Sequence, residues 1–508
     1  MGEDMQPNQY LQTAWYDPSF KWDWRTASHL MNRAGFSGTA QEIDQLVALG
    51  PLDAIQHLIY YQSIPDSSPY MQFGAISDID IGDFRQIRFF RDLTPDERRE
   101  FLLLKLAAGA GKMDDMRCWW LNRMVQTKRP LEEKMTLLWH GLFVSAFMDV
   151  QNAYHMYLQN ELFRRFAVGN VQDLTLQVSK DPAMLRYLNN NQNVRGHPNE
   201  NYARELMELF TMGIGNYTED DVRESARAWT GWTFVGDNFV FNDFQHDYGE
   251  KTFLGQTGNF NGQDIVEIIF QQPATPRHFA LKLLQFFGSD EPAPPELVLA
   301  LGQTFQDENW EMAPVLQKLF SSTWFYSEPV MRSKVKTPAE LVVGSLRKLN
   351  GSSPNPQALL FSMQMMGQEL FEAPNVGGWP VGKNWINTST LFARYDMPAF
   401  LVTGRRPIIP GSAWNDNSPA LQEFNTQYSP ELQLAQAGAS TTNSAVDWYI
   451  RQLIQDSVDP AKRSALISYL NNSDSTEDMP LNLTDQSLHA RLLGLVQLIM
   501  AMPEYQLC

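Results

Sequence analysis

Apolar residues recur at three- and four-residue spacing along most of this chain, and strict alternation is rare. That period predicts a protein built almost wholly of helices. The punctuation between apolar runs agrees with it. Thr39 precedes one run with Glu42 three residues later, a capping box, and Thr94-Pro95-Asp96-Glu97 opens another helix with proline in its first turn. Helices are predicted over 94–108, 112–127, 130–146, 182–188, 199–212, 218–230, 275–286, 336–349, 390–403 and 485–502, among others. The best strand signal lies between Phe234 and Phe244, where Phe239, Phe241 and Phe244 are interrupted by polar residues. A short hairpin near 233–244 is the most sheet the pattern supports. The predicted fold is therefore all-α, a multi-helical globular bundle with long irregular loops. Shifts in composition divide it into an aromatic arm (1–25), a main helical domain (26–403), an irregular linker (404–444) and a C-terminal helical unit (445–508) packed on the main domain.

The densest polar patterning runs from His197 to Trp232. On the helix predicted over 199–212, Tyr202, Leu206, Leu209 and Phe210 fall on one side at about 100° per residue. Glu200, Arg204 and Glu208 align on the other, flanked by Asn201 and Glu205. Two chemistries suit this stripe. Glu205 and Glu208, at i, i+3, can share a proton or a cation with Arg204 tuning them, and His197 stands just upstream as a further catalytic candidate. Alternatively the row is a set of surface i, i+4 ion pairs worth a few tenths of a kcal/mol each. The next helix carries Arg223 and Arg227, and a short connection would bring them against the glutamates, burying at least two of the four charged groups.

Bulk composition narrows the function classes. Of 508 residues, 43% are hydrophobic and 12% aromatic, enough for a large core. Forty basic against 58 acidic residues leave a charge of −18, with no local basic cluster, which disfavours nucleic acid and anionic membrane surfaces. No apolar run is long enough for a transmembrane helix. The first residues, Met-Gly-Glu-Asp-Met-Gln-Pro, show no signal peptide, so the protein is either cytosolic or starts after a processed or deleted leader. Cys118 and Cys508 read as independent thiols. There is no glycine-rich dinucleotide fingerprint, P-loop or nucleophile elbow, so no nucleotide cofactor is expected. A divalent metal would need distant elements to converge. His140 is the one candidate ligand, although a histidine on an apolar helix is more often a satisfied core residue.

Several ordered segments resemble a known family. They are Ser28-His29-Leu30-Met31-Asn32-Arg33-Ala34-Gly35-Phe36, Trp139-His140-Gly141-Leu142-Phe143, Asp181-Pro182-Ala183-Met184-Leu185-Arg186-Tyr187-Leu188, and the run from Pro198 to Trp232. His246-Asp247 with Gly249-Glu250-Lys251, Phe253 to Gly258, and Gly377-Gly378-Trp379-Pro380 with Trp385-Ile386-Asn387 complete the set. Together they resemble the bacterial domain-of-unknown-function 1800 family over roughly 26–504. The resemblance implies export to the periplasm or beyond, and an alkaline-phosphatase-like exported protein as partner. It implies no reaction. The family usually carries a second histidine where this chain has Leu142, which puts a two-histidine metal site in doubt.

Two further groups are binding candidates. The loop with His246, Asp247 and Lys251 could hold an anion, though turn chemistry explains its glycines equally well. Trp379 and Trp385 lie on a Gly/Pro-stiffened loop and would either stack on a sugar or peptide or pin the loop to the core. Two functions remain open at this level: an exported hydrolase or transferase with a carboxylate-centred site at Glu200, Arg204, Glu205 and Glu208, or a non-catalytic scaffold for the phosphatase-like partner.

Overall fold

The computed structural model describes residues 7–66, 68, 71, 94–349, 355–403, 428–455 and 457–508. Among the described residues helices dominate, joined by two small antiparallel hairpins. The first hairpin pairs Trp232–Val235 with Asn238–Phe241, as the aromatic alternation predicts. The second, Lys251–Phe253 with Gln256–Gly258, falls where the sequence suggests only a loop and turn. Three-residue strands are too short to show a period.

Two differences among the helices matter. The chain from Pro95 to Gln126 is one 32-residue helix, whereas the glycines at 109 and 111 suggest a break. A glycine costs a helix about 1 kcal/mol relative to alanine. Burial of Met113, Met116, Trp120, Leu121 and Met124 on the following turns holds the helix through both. The segment predicted over 199–212 is α-helical only from Asn201 to Glu205 and continues as a π-helix, Leu206–Thr211. A second π segment, Leu284–Gly288, ends the helix that begins at Ala274.

The described residues form two hydrophobic cores. One gathers side chains between Leu11 and Val330; the other joins the helices near 113–156 to those near 339–370 and 434–505. Helix Pro130–Leu142 lies between them, sending Leu131, Met135, Leu138, Trp139 and Leu142 into the first and Leu137 into the second. Every residue of it except Gly141 is buried. A helix buried on all sides must find a partner for each polar group it carries. The 404–444 stretch lies outside the described residues as far as 427; beyond that it holds helix Pro430–Ala437, started by Ser429, whose Leu434 joins the second core. The aromatic arm is tied down: Thr13 bridges to Ser322, and Trp22 Nε1 donates to Leu46 O at 3.2 Å. Cys118 and Cys508 are unpaired thiols.

Candidate functional site

The π turn decides the geometry of the glutamate helix. Met212 N donates to Met207 O at 2.9 Å, and the Thr211 hydroxyl donates to Leu206 O. A π turn holds more residues than an α turn, so the α spacing of the stripe ends at Glu205. Arg204 forks onto Glu219 with bonds of 2.7 and 2.8 Å, and reaches Glu200 at 3.3 Å. Glu208 lies inside the π segment and accepts from the Tyr217 hydroxyl at 2.6 Å. Glu205 stays on the α portion, where burial and then the neighbouring Glu208 raise its carboxyl above the usual range. Glu200, Arg204, Glu205 and Glu208 are all half-buried, and His197 is exposed. The expected arginine partners turn elsewhere: Arg223 pairs with Asp220 on its own helix, and Arg227 with Glu224 and Asp247, each at 2.8 Å. The glutamate stripe is thus a surface brace between two helices, its guanidinium supplied from within.

The same Arg227 closes the loop that carries His246, Asp247 and Lys251. His246 Nδ1 donates to Thr230 O at 2.8 Å, and the ring lies edge-on between Phe241 and Tyr248. Lys251 is buried and donates to Asp247 O at 2.5 Å and Gly249 O at 3.0 Å. Each charged group here is engaged by its own loop or the adjacent helix.

His140 lies on the central helix among Trp120, Phe163 and Phe371. Asn160 donates to its Nε2 at 3.0 Å, and the same amide accepts from Arg164 at 2.7 Å, which fixes the amide's orientation. The Nε2 lone pair is therefore occupied and the ring neutral. Burial pushes its pKa down to about 3. Two turns back, Glu133 is fully buried between Arg123 and Arg164 and accepts from Trp120 Nε1 at 2.8 Å; Lys134 is paired with Glu340. Among the described residues no group of three or more His, Cys, Asp and Glu side chains gathers as a metal site.

A different place collects unengaged chemistry. Gly378 has φ +93°, and a Cβ on it would stand 2.3 Å from Gly141 O. Only glycine lets the loop sit there, and the Trp379 ring then covers Gly141. Gly382, φ +56°, seats the far end of the loop against Asp290 in the same way. These contacts bring together two segments that lie more than two hundred residues apart, Trp139–Phe143 and Gly377–Trp385. Between them lies a cavity of about 100 Å³. Its walls include Leu138, Leu142, Phe286, Trp379 and Trp385, with Lys282, Asp290 and Lys334 as the charged groups. Leu142, where the resemblance leads one to expect histidine, faces this space, whereas His140 is held in the aromatic core. Phe286 and Gln285 reach the cavity from the second π segment.

The polar atoms of this cavity are not balanced. The indole Nε1 atoms of Trp379 and Trp385 are buried and have no partner among the described residues. Each such donor costs about 1–3 kcal/mol when left unsatisfied. Lys282 has no ion pair among the described residues either, and desolvation alone lowers its pKa. Among the acceptors, Asp290 Oδ2 takes Val335 N at 2.7 Å and Gln368 Oε1 takes Ala339 N at 2.8 Å. Burial raises the Asp290 carboxyl, with Lys334 opposing. A second, more open cleft of about 300 Å³ lies beside Arg117, but Asp114 and Glu369 neutralise that arginine at 3.0 and 2.7 Å.

Sequence reasoning singles out Trp379 and Trp385 as either exposed or pinning; they pin the loop and wall the cavity, with Trp385 only 2% exposed. It misses Lys282, Asp290, Lys334 and Phe286. Nothing in their local pattern marks them, because the cavity exists only where distant segments converge.

Comparison with known proteins finds one relationship. The model of a family described as "Protein of unknown function (DUF1800)" matches residues 29–507. No curated protein and no solved structure matches the chain.

Proposed function

The chain belongs to the DUF1800 family, and from that premise and the geometry we propose that it is an exported helical protein that binds a small molecule in the cavity between Trp139–Phe143 and Gly377–Trp385. One observation carries the reading: a mostly apolar cavity, walled by two indole rings and lined by a lysine with no ion pair among the described residues, lies at a junction of two segments that carry the family resemblance. Apolar pockets with a few polar groups at their walls are where small molecules bind. Export rests on the family resemblance alone; fractionation of cells making the full gene product tests it, and a wholly cytosolic pool would refute it.

Intrinsic fluorescence tests binding, because two tryptophans form the walls. A panel of small molecules should contain members that shift Trp379 and Trp385 emission saturably and raise Tm. Replacing both tryptophans by phenylalanine should abolish the fluorescence shift. A panel that changes neither signal would remove the proposal.

The carboxylate-centred hydrolase or transferase remains the second reading. It is favoured by Glu205, whose raised carboxyl beside Glu208 suits a proton donor. It requires turnover that disappears in both Glu205→Gln and Glu208→Gln while Trp385→Phe retains it.

A further inference from the structure

The cavity wall also carries a nucleophile, and the inference drawn from it rests on the binding reading above. We propose that Lys282 is a covalent attachment point: its amine condenses with a small apolar aldehyde held in the cavity and forms an imine. Its placement begins with the helix. Lys282 lies in the last turn of helix Ala274–Leu283, and Gln285 and Phe286 follow on the π segment at i+3 and i+4. That spacing puts the three on one face, and all three line the cavity. Lys282 is half-buried, so a small molecule can reach it.

Lys282 differs from the other charged groups of the lining. Lys334 has Glu340 at 3.8 Å and the Phe286 ring 5.9 Å from its ammonium. Asp290 Oδ2 accepts from Val335 N at 2.7 Å. Lys282 has no ion pair among the described residues, and burial alone lowers its pKa. His278, one turn back, donates from Nε2 to Leu209 O at 3.0 Å, and burial keeps its ring neutral with a pKa of about 4.

Desolvation disfavours the ammonium, so more of Lys282 is present as the free amine, the nucleophilic form. Condensation then replaces a group that is costly to charge in apolar surroundings with a neutral imine. The Nζ lone pair forms the C–N bond as the carbonyl π pair moves to oxygen. One nitrogen proton passes to that oxygen and gives a carbinolamine. The second nitrogen proton leaves with the hydroxyl, as water, while the C=N bond closes. Amine and aldehyde thus yield imine and water, with no further reactant. Size and lining select the aldehyde. An apolar cavity of roughly 150 Å³ accommodates benzene, so about 100 Å³ suits a molecule of about five heavy atoms. Leu138, Leu142, Phe286, Trp379 and Trp385 give its chain an apolar wall.

The test treats the whole chain at pH 7 with butanal and cyanoborohydride, which reduces an imine to a stable secondary amine. Peptide mass spectrometry then reads butylation at each lysine. Lys383 is the internal reference, because it lies on the loop that walls the cavity, is 82% exposed and pairs with Glu291 at 3.0 Å. Lys282 should be butylated at least tenfold faster than Lys383. Butanol fits the same space and cannot condense, so an excess of it should slow Lys282 at least fivefold and leave Lys383 unchanged. Equal rates at the two lysines, with tryptophan emission still shifted by members of the small-molecule panel, would overturn the covalent site and leave the binding reading intact. A fast Lys282 that butanol does not slow would put the reactive amine outside the cavity and overturn the proposal as well. Equal rates together with a panel that shifts neither emission nor Tm would overturn both.

Discussion

The glutamate helix and the tryptophan cavity make opposite use of polar groups. Around Glu200–Glu208 the charges are numerous and mostly paired: Arg204 is forked by Glu219, Glu208 holds Tyr217, and Arg227 is turned to Asp247, with Glu205 the exception. Around Gly377–Trp385 polar groups are few, yet two indoles and a lysine are left without partners among the described residues. A crowded stripe of charge is a poor guide to chemistry when its neighbours neutralise it, and a sparse site is informative when the fold tolerates an unsatisfied donor.

The strongest way to break this comparison acts on the cavity's seat. Gly378→Ala puts a Cβ into Gly141 O at a backbone angle alanine disfavours. It should cost on the order of 2–4 kcal/mol and abolish any ligand-induced shift. Urea denaturation with fluorescence checks both, and an unchanged midpoint would show that the loop is not seated as described.

A carboxylate near the glutamate helix sharpens the contrast from the other side. Asp181 caps helix Pro182–Tyr187 through Met184 N at 2.9 Å and accepts from Gln159 at 2.8 Å, and burial pushes its pKa up to about 7. Its folded pKa exceeds its unfolded value of 3.8. Its contribution to stability is therefore full below about pH 4 and lost as pH rises through 7. Asp181→Asn keeps the cap and should stabilise the protein by about 1–2 kcal/mol at pH 8, with no gain at pH 4. A gain independent of pH would contradict the assignment.

Glu205 should behave likewise but more weakly, being half-exposed. Glu205→Gln should raise Tm slightly at pH 7 and leave it unchanged below the ordinary glutamate value of 4.5. Arg204→Ala should matter least, within about 1 kcal/mol, because its pairs with Glu219 and Glu200 are at the surface. High salt should shrink that effect further.

Much of the fold is legible in the sequence, and the reasons differ by element. The capping box at Thr39 is local chemistry and starts a helix as expected, and the helices expected over 218–230 and 336–349 also begin at capping boxes, on Thr218 and Thr337. Asp181-Pro182 likewise reads as a helix start and is one. The helix through Gly109 and Gly111 is not legible, because tertiary burial outweighs two glycine penalties. Nor are the π turns at 206–211 and 284–288, which leave no periodic mark yet hold Glu208 and deliver Phe286 to the cavity. Trp379 and Trp385 can be singled out as aromatics on a stiff loop. Their partners Lys282 and Asp290 cannot, since only the folded chain brings 137–142, 282–290 and 377–385 to one place.

The central claim is that ligand chemistry resides in the tryptophan cavity and not on the glutamate helix. Ligand-induced stabilisation, measured side by side for wild type, Trp385→Phe and the double variant Glu205→Gln/Glu208→Gln, addresses it most directly. Loss of the shift in Trp385→Phe, with a full shift in the double glutamate variant, is the predicted result. A shift that survives Trp385→Phe and vanishes with the glutamates would contradict it.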